Sequence, residues 1–116
     1  MPNTPPRVTP PRDLKRHTEA QWQRLIVDTA HTFGWVVLHI RDSRGEQEGV
    51  PDLLMWRGDQ YVLAELKTER GTVSAAQREW HQLAALKGVT VHLWRPRHWP
   101  EAARILTAGY DVIIDE

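Results

Sequence analysis

Residues 52–67 predict a tight β-hairpin, because two short apolar strands meet at the dipeptide Gly58-Asp59. Glycine at the first central position is what a two-residue type II′ turn requires. The strands, 52–57 and 60–67, carry apolar residues on both faces, a pattern that is typical of a sheet covered on both sides. This hairpin fixes which side chains face each other, and it therefore restricts the fold more than any other segment.

The even register of the hairpin pairs Arg57 with Gln60 and, further out, sets Asp52 directly opposite Glu65. Their Cβ atoms are then roughly 4.5–5.5 Å apart. Two facing carboxylates repel each other, which costs stability unless a cation lies between them. Lys67 lies on the same face, roughly 7 Å further along the strand. A single bulge would move Asp52 to the other face, so the register is essential.

One face of the hairpin would thus present two acidic oxygen donors with an ammonium group at its rim. Hard carboxylate ligands with room for water suit Mg²⁺ or Mn²⁺. Such an ion polarises a phosphate and activates a water, while Lys67 stabilises the developing negative charge. Taken singly, Asp52 could be a turn residue, and Glu65 with Lys67 a solvated strand end. Neither alternative explains opposed carboxylates in an apolar hairpin, so the pattern favours phosphodiester hydrolysis.

The segments around the hairpin complete an α-β-β-β-α-β-α order. Capping-box patterns open the first two helices, at Thr18 and at Ser74. Periodicity and turn residues predict helices at 18–33, 74–87 and 100–106 and strands at 35–40 and 89–95.

Glu19 and Gln77 begin the buried stripes of the first two helices. Each could reach the edge of the site, Glu19 as a further metal or water ligand and Gln77 as a hydrogen-bonding support. Local structure also accounts for both residues. Gln77 is the third residue of a capping box, and Glu19 in the first helical turn interacts favourably with the helix dipole.

The ends of the chain differ from the single domain expected over residues 18–107. Residues 1–17 hold five of the eight prolines and several basic side chains, and they predict a flexible or extended leader. Such a leader could follow a phosphate backbone, although the composition favours a solvated, Pro-rich segment. Residues 108–116 form an acidic tail.

Composition excludes several classes of protein. The chain has no cysteine, so disulfides and thiolate metal sites are ruled out. A formal net charge of zero argues against a protein that coats nucleic acid by bulk charge. The six histidines lack the close pairing of a metal-binding helix, so an all-histidine zinc site is remote. With neither a signal peptide nor an apolar run of about 20 residues, we expect a cytoplasmic protein of a bacterial or phage-infected cell.

Three motifs in this sequence resemble those of the PD-(D/E)XK nuclease superfamily, and in particular its VRR-NUC branch. They are Gly49-Val50-Pro51-Asp52, Glu65-Leu66-Lys67, and Gly71-Thr72-Val73-Ser74 leading to Gln77. The resemblance covers about residues 18–96. It implies an α/β, restriction-endonuclease-like core in α-β-β-β-α-β order, with a central mixed sheet flanked by helices.

The resemblance also implies a role for each residue of the site. Asp52 and Glu65 would bind the divalent metal, the backbone carbonyl of Leu66 would be a further ligand, and Lys67 would be catalytic. The glutamate of the first helix and the glutamine of the next one match Glu19 and Gln77. Three arginines border the predicted site and are candidates for phosphate contacts: Arg41, Arg44 and Arg70.

Stand-alone proteins of this kind resemble homodimeric phage or bacterial enzymes that cut branched DNA. We therefore expect an Mg²⁺- or Mn²⁺-dependent endonuclease that acts on four-way (Holliday) junctions, with two active sites for two symmetric cuts. Two alternatives remain open at this point. One is a nuclease of ordinary duplex or single-stranded DNA, and the other is a DNA-binding module that does not cleave.

Overall fold

The structure is a computed structural model that describes residues 4–40 and 48–116. Nine helices and strands lie in those ranges, together with 3₁₀ turns at Leu14–Arg16 and Pro96–His98. In chain order they are β1 (Arg7–Val8), α1 (Glu19–Thr32), β2 (Val36–His39), β3 (Leu53–Arg57), β4 (Gln60–Leu66), α2 (Ala75–Leu86), β5 (Val91–Trp94), α3 (Trp99–Leu106) and β6 (Ile113–Ile114).

A four-stranded sheet in the order β2-β3-β4-β5 forms the centre of the fold. β2 and β3 are antiparallel, and so are β3 and β4. β5 runs parallel to β4 because α2 connects the two strands. The sheet is therefore mixed, with helices packed against it, and the predicted restriction-endonuclease-like α/β fold is confirmed. None of the described helices is long and apolar enough to span a membrane.

The hairpin of β3 and β4 has the predicted even register. Arg57 pairs with Gln60 beside the turn, and Leu53 pairs with Ala64 at the other end of the ladder. Gly58 has a φ of 60° while Asp59 does not have a positive φ, as a type II′ turn demands. No bulge interrupts this ladder, so the register that the site depends on is confirmed.

Both predicted capping boxes are present. The Thr18 side chain accepts from the backbone amide of Gln21, whose side chain accepts from the Thr18 amide in return. Ser74 and Gln77 make the same reciprocal pair at the start of α2. Each pair satisfies amides that the first turn of a helix leaves without a partner.

One face of the sheet packs against α1 and α3 and forms the core. Trp94 and Trp99 belong to this core and are almost fully buried. The indole of Trp22 donates to the carbonyl of Trp94 at 2.9 Å, which ties α1 to the end of β5. The fully buried side chains of the sheet on this face are Leu53, Met55, Ala64, Leu66 and Trp94.

The opposite face of the sheet is only partly covered, which corrects the expectation of a sheet buried on both sides. α2 lies beside β5 and covers that end. At the other end, Val36 and Leu38 are each 50% exposed, Trp56 is 39% exposed and Tyr61 is 55% exposed. The apolar alternation predicts two nonpolar faces, but only the placement of α2 decides how much of the second one is buried.

The leader and the tail pair with each other outside the central sheet. β1 and β6 are parallel, with Arg7 opposite Ile113 and Val8 opposite Ile114. Asp115 accepts hydrogen bonds from the guanidinium of Arg7 and the hydroxyl of Thr9, both at 2.7 Å. The basic leader and the acidic tail thus form a two-stranded sheet with an ion pair between Arg7 and Asp115.

Candidate active site

Asp52 and Glu65 lie next to each other at the open end of the hairpin. One step beyond the Leu53–Ala64 pair, the register sets Asp52 across from Glu65. The exposed fraction is 6% for Asp52 and 0% for Glu65. The backbone amide of Leu66 donates to Oδ2 of Asp52 at 2.7 Å, which fixes the direction of this carboxylate. Two buried carboxylates at neighbouring positions favour a cation between them.

Gln77 holds Glu65 from the first turn of α2. Its Nε2 donates to Oε2 of Glu65 at 3.1 Å, and its Oε1 accepts from the backbone amide of Ser74 at 2.9 Å. One buried amide group therefore completes the capping box and orients the carboxylate. The two interpretations that the sequence leaves open for Gln77 are compatible, because each uses a different atom of the side chain.

The segment that carries Lys67 is fixed by the residues at the end of β5. The backbone amide of Lys67 donates to the carbonyl of Trp94 at 3.1 Å. The guanidinium of Arg95 donates to the carbonyls of Thr68, at 2.8 Å, and of Gly71. Arg95 thereby anchors both ends of the turn from Thr68 to Gly71. Lys67, just before this turn, is half-buried. Nothing local in the sequence marks Arg95 for this role.

Gly49 brings the segment before Asp52 close to the backbone of α2. It has a φ of +87°, and a Cβ placed on it would lie 2.2 Å from the carbonyl oxygen of Ala76. No other residue type fits this contact without displacing one of the two segments. Gly49 therefore sets the distance between the segment that carries Asp52, just before β3, and the helix that carries Gln77.

His81 lies on α2 near Lys67, although the sequence offers no reason to connect the two. Burial, and then the positive charge of Lys67, lower the pKa of His81. Its Nε2 is buried and has no hydrogen-bond partner among the described residues. Both effects disfavour the protonated form of the imidazole.

The remaining predicted site residues are Glu19, Arg41, Arg44 and Arg70. Glu19 is exposed in the first turn of α1, and its role as a ligand stays a prediction. Arg41 and Arg44 lie outside the described residues. Arg70 is exposed and lines a cavity with Gly71, close to the Lys67 segment.

The donor groups at this centre fit a hard divalent cation. Within residues 4–40 and 48–116, no three His, Asp or Glu side chains are grouped as a ready metal cage. Mg²⁺ is usually bound by one or two carboxylates, with waters and substrate phosphates completing its shell. The carboxylates of Asp52 and Glu65, with the Leu66 carbonyl as the further predicted ligand, match such an oxygen-donor site, whereas zinc sites are built mainly from His and Cys side chains.

The fold and this constellation define a nuclease of the PD-(D/E)XK type, a superfamily whose members typically use divalent metals. The family model of the VRR-NUC domain matches residues 12–97. The chain belongs to this family, whose nuclease domain implies DNA as its substrate. No curated protein and no solved structure matches the chain.

Proposed function

We propose that this protein is an Mg²⁺- or Mn²⁺-dependent endonuclease that acts as a homodimer on branched DNA. The observation that carries the proposal is the placement of Asp52 opposite Glu65 at the buried end of the hairpin, two residues before Lys67. A surface that only binds DNA gains nothing from two buried carboxylates, because their negative charge repels phosphates. A module that hydrolyses phosphodiester bonds requires them.

Each residue of the site has a distinct part in this chemistry. Asp52 and Glu65 would hold the ion, which polarises the scissile phosphate and lowers the pKa of an attacking water. Lys67 places a positive charge where negative charge develops in the transition state. Gln77 keeps Oε2 of Glu65 in position, because its own Oε1 is anchored to the amide of Ser74.

The uncovered face of the sheet supports the homodimer. Val36 pairs with Trp56, and Trp56 pairs with Tyr61, so the three side chains form one row across three strands. Leu38 lies in the next row, and all four side chains are between 39% and 55% exposed. A contiguous apolar patch of this kind marks a protein interface. A second copy of the chain offers the same patch for a two-fold contact, which suits two symmetric cuts in a junction.

The nuclease is tested by incubating the protein with a four-way junction, a duplex and a single strand of the same sequence, with Mg²⁺, Mn²⁺ or EDTA. We expect metal-dependent cleavage of the junction in preference to the other substrates. Cleavage that survives EDTA, or that persists in Lys67→Met, contradicts the mechanism. Equal rates on all three substrates would remove the preference for branched DNA and leave the nuclease.

The homodimer is tested by sedimentation of Tyr61→Lys and Leu38→Glu. Both changes place a charge in the apolar patch, so we expect monomers where the parent protein sediments as a dimer. Leu86→Glu is the matched control, because Leu86 is 80% exposed on α2 and lies outside the patch. Dimers that persist in both patch variants would show that the copies meet elsewhere.

A further inference from the structure

Seven basic side chains surround two neighbouring cavities beside the active site. The first cavity, of about 500 Å³, is lined by Leu14 and Pro96 together with Arg12, Asp13, Lys15 and Arg16. The second, of about 430 Å³, is lined by Gly71, Thr72 and Val73 together with Glu69, Arg70, Arg78, Arg95 and Arg97. Three bases and one acid line the first, and four bases and one acid line the second, on a chain whose formal net charge is zero. We name this surface the basic band.

The two cavities lie next to each other, on either side of the second 3₁₀ turn. Pro96 lines the first cavity, while its neighbours Arg95 and Arg97 line the second. The 3₁₀ turn of the leader contacts this second turn, and Leu14 packs against the hydrophobic core. The basic residues of the leader are thus held on the surface of the domain.

The acidic side chains of the band are already engaged. Glu69 accepts from both the backbone amide and the guanidinium of Arg97, each at 3.1 Å. Asp13 lies 3.6 Å from Nε2 of His17. Arg97 pairs with Glu69, and Arg95 donates to the carbonyls of Thr68 and Gly71. The other five cations of the band make no salt bridge with any described residue: Arg12, Lys15, Arg16, Arg70 and Arg78.

One end of the basic band reaches the active site. Gly71 lines the second cavity, and a Cβ placed on it would lie 3.8 Å from Cδ of Lys67. A strand of phosphates cleaved beside Lys67 would therefore continue directly over this cavity. Exposed arginine and lysine side chains without carboxylate partners are the groups that neutralise phosphates and release their counterions.

We propose that the basic band, from Arg70 and Arg78 to Arg12, Lys15 and Arg16 in the leader, binds the sugar-phosphate backbone of DNA that extends from the active site. This inference rests on the proposed function, because it assigns the path of the same substrate. It gives the leader a role in binding, and it adds Arg78 to the surface that Arg70 belongs to.

The test measures binding without cleavage, in EDTA, to a fluorescein-labelled duplex of about 30 base pairs at several salt concentrations. The leader variant is Arg12→Gln with Lys15→Gln and Arg16→Gln, and the loop variant is Arg70→Gln with Arg78→Gln. All five side chains lie on the surface, and thermal unfolding checks that each variant folds. We expect the leader variant to bind about 10- to 100-fold more weakly, with a salt slope smaller by about 2.7. For the loop variant we expect the slope to fall by about 1.8.

The matched control removes three cations outside the band: Arg7→Gln with Lys87→Gln and Arg104→Gln. Arg7 and Arg104 already pair with Asp115 and Glu116, and Lys87 caps the far end of α2. We expect the control to keep the parent slope. A control that loses as much affinity as the leader variant would show that net charge alone governs binding, and it would overturn the proposed binding role of the basic band. Tighter binding to an RNA duplex of equal length would overturn the assignment to DNA.

Cleavage assays separate this inference from the proposed function. With Mg²⁺ present, the leader variant should need a higher DNA concentration for half-maximal cleavage and should keep the parent maximum rate. If the parent cleaves while both band variants bind DNA as well as the parent does, the binding role of the basic band is rejected and the nuclease activity is retained. If no DNA is cleaved but the band variants still bind DNA more weakly than the parent, the binding role of the basic band is retained and the nuclease activity is rejected.

Discussion

Asp52 accepts a 2.7 Å hydrogen bond from the backbone amide of Leu66, the residue between Glu65 and Lys67. This bond connects the two strands at the place where the ladder gives way to the active site. It also means that the Asp52 side chain has a structural function, as an acceptor, and a proposed chemical one, as a charged ligand. The two functions are separable, because an uncharged oxygen serves the first and only a carboxylate serves the second.

Asp52→Asn should strongly reduce activity without weakening the fold. The amide oxygen can still accept from Leu66, while the charge that holds the ion is lost. We expect cleavage to fall at least about 100-fold, since the ion contributes several kcal/mol to the transition state. The midpoint of urea unfolding should stay the same or rise slightly because repulsion from Glu65 is relieved. Asp52→Ala should lose a further 1–3 kcal/mol, roughly, because it leaves the buried Leu66 amide unpaired. Equal stability of the two variants would contradict this account.

Gln77→Glu should lower activity while the capping box of α2 remains. Glutamate can still accept from the Ser74 amide, but it cannot donate to Glu65 and it adds a negative charge there. We expect a 10- to 100-fold loss of cleavage, about the effect of removing a group that orients a metal ligand. The control is Gln21→Glu, which alters the matching capping box of α1, and it should leave cleavage unchanged. A similar loss in both variants would assign the effect to helix capping.

Gly49→Ala should destabilise the protein by about 3 kcal/mol or more, because it adds left-handed strain and a collision with Ala76. Gly88→Ala isolates the first contribution. Gly88 has a φ of +77°, yet nothing lies within 4 Å of the Cβ it would gain. We expect this control to lose only about 1–2 kcal/mol and to keep full activity. Chemical denaturation of both variants makes the comparison, and a Gly49→Ala protein as stable as Gly88→Ala would falsify the close contact.

Arg57→Lys should reduce stability by about 1–3 kcal/mol with little effect on the rate of cleavage. The Arg57 guanidinium donates to the carbonyls of Phe33, at 3.0 Å, and of Leu106, at 3.3 Å, and it lies 4.7 Å from the centre of the Trp35 ring. Lysine cannot span these acceptors or stack in the same way. Arg104→Lys, at an exposed ion pair, should change stability by less than about 0.5 kcal/mol. Thermal unfolding beside single-turnover cleavage measures both quantities.

Sequence predicts the parts of this site that depend on neighbouring residues. The glycine of the turn fixes the hairpin register, and the register alone sets Asp52 opposite Glu65. Capping boxes fix the start of each helix for the same local reason. Contacts between distant segments do not follow from such patterns. The bond from Gln77 to Glu65 requires α2 to lie against the end of β4, and only the folded chain shows that placement.

The same limit applies to the apolar residues. Trp94 and Trp56 each lie near the end of an apolar strand and are each followed by an arginine, and the sequence alone allows either to be buried. Trp94 is fully buried, with its carbonyl bonded to Trp22 of α1 and its indole bonded to Glu101 of α3. Trp56 lies on the face that α2 leaves open and is 39% exposed. Burial here depends on which helix reaches which strand. That is a property of loop lengths and packing rather than of the local pattern.

His81 should make the protein less stable as the pH falls. Its pKa in the folded state is lowered, by burial first and by Lys67 second, from an ordinary value of 6.5. The unfolded chain therefore takes up a proton as the pH drops through 6.5 before the folded protein does, and stability is lost until the folded-state pKa is reached. Well above pH 6.5, His81 is neutral in both states and does not change the stability. Between pH 7 and pH 5, we expect the unfolding temperature of His81→Leu to fall less than that of the parent. The difference corresponds to the uptake of about one proton on unfolding. His31→Leu, at an exposed position on α1, is the control and should follow the parent curve. Parallel curves for His81→Leu and the parent would show that another group causes the acid sensitivity.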